Sequence, residues 1–316
     1  MNKIPVILDG DPGHDDAIAW VFAKASPLLD ILAVVSVSGN QTIEKTTINA
    51  RRICALLGID APIARGAVRP MTADPFTAGN WHGESGLDGP AMPEPDQELS
   101  LLPAVDLMAE VIRESAEPVI IISTGPQTNV GELLTAHPEV KDKIRLISIM
   151  GGGITHGNWV PGAEFNILED PEAAWIEFHS GIPIHMCGLD VTEKAIIRPD
   201  DFPRIRAVGN QVADIVAGWL EFFYKYPMAI GYEGAPVHDP CAVLSITHPE
   251  IFRIERYYVD IELEGEYTRG ATVADFKGVL GKEPNAACSV EIDRDRYVDL
   301  LIEALHYYDG REVPIG

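Results

Sequence analysis

The chain is predicted to be an α/β protein with an open, mostly parallel (mixed) Rossmann-like sheet flanked by helices, its site at the C-terminal ends of the strands. Three observations point there. Apolar runs such as Leu29 to Ser38 and Pro118 to Ser123 are continuous rather than alternating, as strands buried on both faces are. Amphipathic stretches such as Asp15 to Ala25 and Thr42 to Leu57 separate them, and alternation of strand with helix implies parallel pairing. No repeat, low-complexity tract or linker interrupts the 316 residues, so a single domain over 1–316 is the economical reading.

In order, the first strand, Val6-Ile7-Leu8, runs into Asp9 and Asp11, which share a face because strand side chains alternate. Pro12-Gly13 then turns the chain, and Asp15-Asp16 open the first helix. Gly39-Asn40 ends the strand Leu29 to Ser38, and Gly58 stops the helix Thr42 to Leu57. Ala64 to Pro95, rich in Gly and Pro, reads as one long loop carrying Trp81-His82-Gly83-Glu84-Ser85-Gly86. A helix over Pro103 to Ser115 precedes the strand ending at Thr124, and a helix over Asn129 to Ala136 precedes the strand Ile144 to Met150. Gly151-Gly152-Gly153 follows it with no Lys-Ser/Thr behind, so a tight turn is favoured over a phosphate cradle. The irregular stretch Gly157 to Asn166, a helix Pro171 to His179 and a short strand Ile184 to Gly188 come next. Phe202 to Tyr226 reads as one helix whose aromatics Phe222-Phe223-Tyr224 belong to the core. The loop Pro227 to Pro236 leads into His238-Asp239-Pro240 and a further helix. Ile254 to Glu262 and Cys288 to Ile292 read as strands, and Asp293 to Tyr308 as the closing helix.

Twenty-four Lys plus Arg against 48 Asp plus Glu leave a net charge of -24, which argues against nucleic acid and anionic membranes as partners. No charged-then-apolar leader opens the chain, and Ile4 to Leu8 is too short to cross a bilayer, so a cytoplasmic location is expected. The scattered Cys54, Cys187, Cys241 and Cys288 fit reduced, packed thiols better than disulfides or a zinc site.

Asp9, Asp11, Asp15 and Asp16 crowd four carboxylates into eight positions, and the simplest relief of their repulsion is a hard divalent cation. Taken singly, Asp15 or Asp16 would be read as helix caps and Asp9 or Asp11 as solvated turn residues. An EF-hand is disfavoured by Pro12 and the lack of a closing Glu, and a haloacid-dehalogenase-like phosphatase fits Pro12 and the Asp15-Asp16 pair poorly. Polar groups recur where other strands stop, at Asn40, Thr124, Met150 and His238-Asp239, so parallel strands bring them to one crevice. A cation there would draw on Asp11, Asp16 and Asp239 with a loop carbonyl, and calcium suits such a loose oxygen set better than magnesium or zinc.

The segments Asp9 to Ala17, Gly39-Asn40-Gln41-Thr42, His82 to Gly86, Ala163-Glu164-Phe165-Asn166 and Val237-His238-Asp239-Pro240 closely resemble the inosine-uridine nucleoside hydrolases, in order and across almost the whole chain. The resemblance implies Ca-dependent hydrolysis of the N-glycosidic bond of ribonucleosides to ribose and free base, in nucleoside salvage. It implies metal ligation by Asp11, Asp16, Asp239 and the main-chain oxygen of Thr124, with Asp11 also the general base toward water. Asp15 and Asn166 would bind ribose hydroxyls, Glu164 and Asn158 the 5′-hydroxyl, and Asn40 would support this network, with Met150 also at the substrate and Asp9 behind it. His238 and His82 would face the leaving base, His238 as its proton donor, and Tyr226 and Tyr232 would stack on it. His14 is taken as a loop residue without catalytic work. A homo-oligomer, tetramer or dimer, is implied as well. Nonspecific or pyrimidine-preferring cleavage is expected because no Trp cluster lies near Tyr224 to Ala235 to sandwich a purine. The competing readings are a metal-dependent hydrolase of another substrate and a noncatalytic nucleoside-binding protein.

Overall fold

The computed structural model describes residues 3–313 apart from 96 and 230, and the side chains at 79, 80 and 226 also fall outside that description. Among the described residues an eight-stranded sheet forms the centre. β1 (Ile4–Gly10), β2 (Leu29–Ser36), β3 (Ile63–Arg65), β4 (Val119–Ser123), β5 (Ile144–Met150) and β6 (Ile184–Cys187) run parallel in the order β3-β2-β1-β4-β5-β6. Ala286–Ile292 continues the parallel set beside β6, and Phe252–Tyr257 closes that edge antiparallel, which makes the sheet mixed. Val6 and Leu8 enter one apolar layer with Trp20 of α1 (His14–Ala25), while Ile7 enters the other with Ile121 and Ile147. Both faces are covered by helices, so both phases of each strand are apolar.

This order puts β1 between β2 and β4, with crossovers leaving toward opposite edges of the sheet. Such a reversal opens a crevice at the strands' C-terminal ends. Asp9 sits in register with Ser123, so the chain after β1 and the chain after β4 emerge side by side there.

Several elements depart from expectation. His14 is not a loop residue; it is the buried first residue of α1, because Gly13 takes the N-cap position. The expected helix Phe202 to Tyr226 is three pieces, Phe202–Arg206, Gln211–Phe223 and Lys225–Ala229. Gly209 at φ 76° breaks it, and the Asn210 side chain accepts from Ala213 N to start the second piece. Ile254 to Glu262 divides at Tyr258, since Val259–Ile261 pairs with Thr272–Ala274 in a separate ribbon. Ala64 to Pro95 begins inside β3 and contains the helical turn Gly79–His82. Leu189–Thr192, a one-turn helix after β6, is too short to show a period in sequence. The four cysteines are buried and free, as expected. Among the described residues no helix is long and apolar enough to cross a membrane.

Candidate active site

The crevice floor is acidic. Asp11, just past β1, accepts the Asn40 N–H at Oδ2 (2.6 Å), and Asn40 Nδ2 donates to the Asp11 main-chain oxygen (3.2 Å). Asp11 Oδ1 is buried without a hydrogen-bond partner. Asp16 does cap α1, its Oδ2 accepting Gly13 N–H at 3.0 Å, while its Oδ1 takes the Thr124 hydroxyl at 2.6 Å. Capping and site-building are thus two halves of one carboxylate. Carboxylate oxygens of Asp15, Asp16 and Asp239 lie within 4.8 Å of one another, all three residues buried, and Asp15 Oδ1 has no partner. Asp11 stands beside this trio rather than inside it, so the tight group holds Asp15 where the sequence reading had Asp11.

Electrostatics agree with that crowding. Burial, then the Asp16 charge, holds the Asp11 carboxyl well above the ordinary range. Burial, then Asp15 and Asp16, does the same to Asp239, and burial followed by Asp15 pushes Asp16 to about 7. The chain also clears space around these groups. A Cβ on Gly39 or Gly125 would collide with the Asp11 carboxylate, and one on Gly10 with that of Asp16. Orphaned buried oxygens in an all-carboxylate donor set fit a hard divalent cation. Asp9 lies behind, wholly buried, its carboxylate taken by Asn129 Nδ2 (2.8 Å) and Ser123 Oγ (3.3 Å).

Above the floor is a cleft lined by polar and aromatic side chains. Asp15, Asn40, Met150, Asn158, Glu164 and Asn166, all named from the sequence, line it together. Glu164 caps Phe165–Glu169 and accepts backbone N–H groups from Gly152 (2.9 Å), Asn166 (2.9 Å) and Ile167 (3.2 Å). The Gly152 amide is therefore committed to Glu164 and the Gly153 amide to Thr272 Oγ1, which accounts for the triglycine turn without any phosphate. Burial still pushes Glu164 to about 7. Asn166 Nδ2 donates to the carbonyls of Thr124 and Met150, both at 3.1 Å, leaving its oxygen for a ligand. The Thr124 carbonyl expected at a cation is thus bonded to the residue expected at the sugar. Asn158 Oδ1 accepts Phe165 N–H at 3.0 Å.

His82, Tyr232 and His238 also line the cleft. His82 Nδ1 accepts the His14 N–H at 3.2 Å, His14 Nε2 donates to the Asp88 carbonyl at 2.8 Å, and the His82 ring stacks on His14 and Phe223. Burial pushes both imidazoles down to about 3, so they are neutral. His238 Nδ1 meets Thr192 Oγ1 at 2.8 Å, which leaves Nε2 for a ligand. Burial lowers its pKa, while the Asp15 and Glu193 charges favour its cation. Tyr226 lies in Lys225–Ala229 with its side chain outside the described atoms. Sequence reasoning missed Trp81, Trp159, Phe223 and Glu193 at this cleft. The two tryptophans come from distant loops, so the lack of Trp near residues 224–235 is no guide to the base. Phe165 was inside a recognised motif, but Glu193 carried no local signal.

An α/β sheet with a cation-competent carboxylate cluster at its reversal point, beneath an aromatic-walled cleft, has the make-up of a metal-assisted hydrolase of small molecules. Residues 6–299 match the inosine-uridine preferring nucleoside hydrolase family, and the chain belongs to that family. It is 54% identical over 308 residues to the pyrimidine-specific ribonucleoside hydrolase RihA of Escherichia coli, covering 96% of this chain and 99% of the relative. The Salmonella typhimurium protein of the same name is 53% identical over the same shares. Among solved structures, the purine-preferring ribonucleoside hydrolase from Gardnerella vaginalis superposes with a TM-score of 0.89 at 29% identity, over 96% of this chain and 98% of that one. An inosine-guanosine nucleoside hydrolase shares the fold, with a TM-score of 0.86 at 24% identity over 96% of this chain and 99% of that one. The chain is accordingly an N-glycosyl hydrolase of ribonucleosides.

Proposed function

We propose that the chain, as one domain, hydrolyses the N-glycosidic bond of pyrimidine ribonucleosides to ribose and free base, with calcium as its cation, in nucleoside salvage. The observation that carries this is the make-up of the cleft: one lining combines carboxylates and amides suited to a polyhydroxylated sugar with rings and imidazoles suited to a base. The pyrimidine preference is supported by the names of the 54% and 53% identical relatives. Asp11, Asp16, Asp239 and the Thr124 carbonyl would hold the ion, with Asp15 beside them. Bound there, it would offset the carboxylate repulsion, acidify water modestly and grip the sugar diol.

The residues then divide the work. Asp11, oriented by Asn40 and holding one free oxygen, takes the proton from the attacking water. Asp15 and Asn166 hold the ribose hydroxyls, and Glu164 and Asn158 the 5′-hydroxyl, with Met150 against the sugar. Carboxylates around the ring stabilise the oxocarbenium-like charge that develops only in the transition state. His238 donates through Nε2 to the departing base, while His82, kept neutral by burial, shapes the wall, and Tyr232 flanks the ring. His238→Ala is expected to lower kcat on uridine about a hundredfold but to cost p-nitrophenyl riboside far less, since that leaving group departs unprotonated. Equal losses on both would make His238 structural.

A time course of free base and reducing sugar from uridine, cytidine, inosine and adenosine tests the reading. Stoichiometric base and ribose, fastest from the pyrimidines, are expected. Intact nucleosides would indicate a binding protein, and phosphate release from esters a different hydrolase. We place the enzyme in the cytoplasm, in keeping with its four free cysteines, and infer a homo-oligomer, tetramer or dimer, which sedimentation would test.

A further inference from the structure

We propose that Glu193 is a specificity-positioning residue: its carboxylate fixes the Tyr232 hydroxyl as a hydrogen-bond acceptor toward the base, so that the cleft favours bases bearing an N–H on the edge remote from the sugar. The inference rests on reading the Tyr232 wall as the base end of the cleft. Glu193 follows Leu189–Thr192, and its two oxygens are divided between two loops. Oε1 accepts the Tyr232 O–H at 2.9 Å, and Oε2 faces His156 Nε2 at 3.0 Å.

A phenol has one proton, and a proton given to a carboxylate leaves only oxygen lone pairs to offer elsewhere. The Tyr232–Glu193 bond is charge-assisted, hence stronger than a neutral one. Burial, reinforced by Glu193, pushes the phenol to about 12, so its proton stays in place. Uracil N3–H and the cytosine amino group both supply the matching donor. The preceding residue, Thr192, holds His238 Nδ1 at 2.8 Å. Adjacent residues of one short element therefore grip two cleft side chains that arrive on the 227–239 segment, and Ile196–Ile197 pairs with Ala235–Pro236 of that segment to fix its path. Glu193 bonds Tyr232 and faces His156, and its charge also favours the His238 cation, so the cycle with Tyr232→Phe separates the route through the phenol from one through His238.

The test is a double-mutant cycle. The values of kcat/KM for uridine, cytidine and p-nitrophenyl riboside are measured for the unaltered enzyme, Glu193→Ala, Glu193→Gln, Tyr232→Phe and the Glu193→Ala/Tyr232→Phe pair. Glu193→Ala is expected to lose about tenfold on both nucleosides and less on p-nitrophenyl riboside, which presents no base N–H. Glu193→Gln, which keeps an acceptor oxygen for the phenol, recovers most of that loss. The double variant is no worse on nucleosides than Tyr232→Phe alone. Losses that multiply in the double variant, or equal losses for Ala and Gln, in an enzyme that cleaves uridine, would overturn this inference alone. An unaltered protein inert toward every nucleoside would overturn the functional reading and this inference with it.

Discussion

Asp11→Asn is expected to cut turnover about a thousandfold while the protein folds normally. Asparagine keeps the shape and an oxygen able to accept the Asn40 N–H now received by Oδ2. It has no basic oxygen, and its neutral amide takes no proton from water at the position of Oδ1, which in the protein is buried and unpartnered. Folding should not suffer, because burial and then the Asp16 charge already disfavour an ionised group at this position. Circular dichroism and a melting curve alongside kcat would check both halves. A folded variant retaining most of its turnover would remove Asp11 as general base.

Removing the cation is expected to lower activity to about 1% or less, restored by calcium, and to leave a protein whose stability depends on pH in an unusual sense. In the metal-free state burial and then Asp15 push Asp16 to about 7, burial pushes Glu164 to about 7, and Asp11 and Asp239 also lie well above the ordinary range. The unfolded carboxyls titrate near ~4. Between those values the native state binds more protons than the unfolded chain. The slope of unfolding free energy with pH is therefore negative: stability is fully present below about pH 4 for these groups and is lost as pH rises through their raised native values, about 7 for Asp16 and Glu164. A cation substitutes for those protons. The rise in Tm on adding calcium to chelator-treated protein should accordingly be larger at pH 8 than at pH 5. A shift equal at both pH values, or absent, would mean that the carboxylates of Asp11, Asp15, Asp16 and Asp239 do not share an ion.

What the sequence determined by itself follows from interactions that are local in the chain. Continuous apolar runs such as Val6-Ile7-Leu8 and Val119 to Ser123 marked buried strands, since helices cover both faces and no alternation is needed. The aspartate-dense turn from Asp9 to Asp16 marked the site, because charge crowded within eight positions must be relieved wherever the chain goes. Motifs at Asn40, His82, Glu164-Phe165-Asn166 and His238-Asp239 marked the other contributors, and the cleft does gather them. Where one helix yields to another, as at Gly209-Asn210, the signal was present in the residues but masked by the apolar pattern on either side.

Only the tertiary structure decided which of these groups touch. That Asp15 rather than Asp11 joins Asp16 and Asp239, that His14 is buried and holds His82, and that Trp81, Trp159 and Glu193 reach the cleft are distances between loops from separate strands. Those distances depend on strand order and on register, such as Asp9 against Ser123, and no local window of residues encodes either.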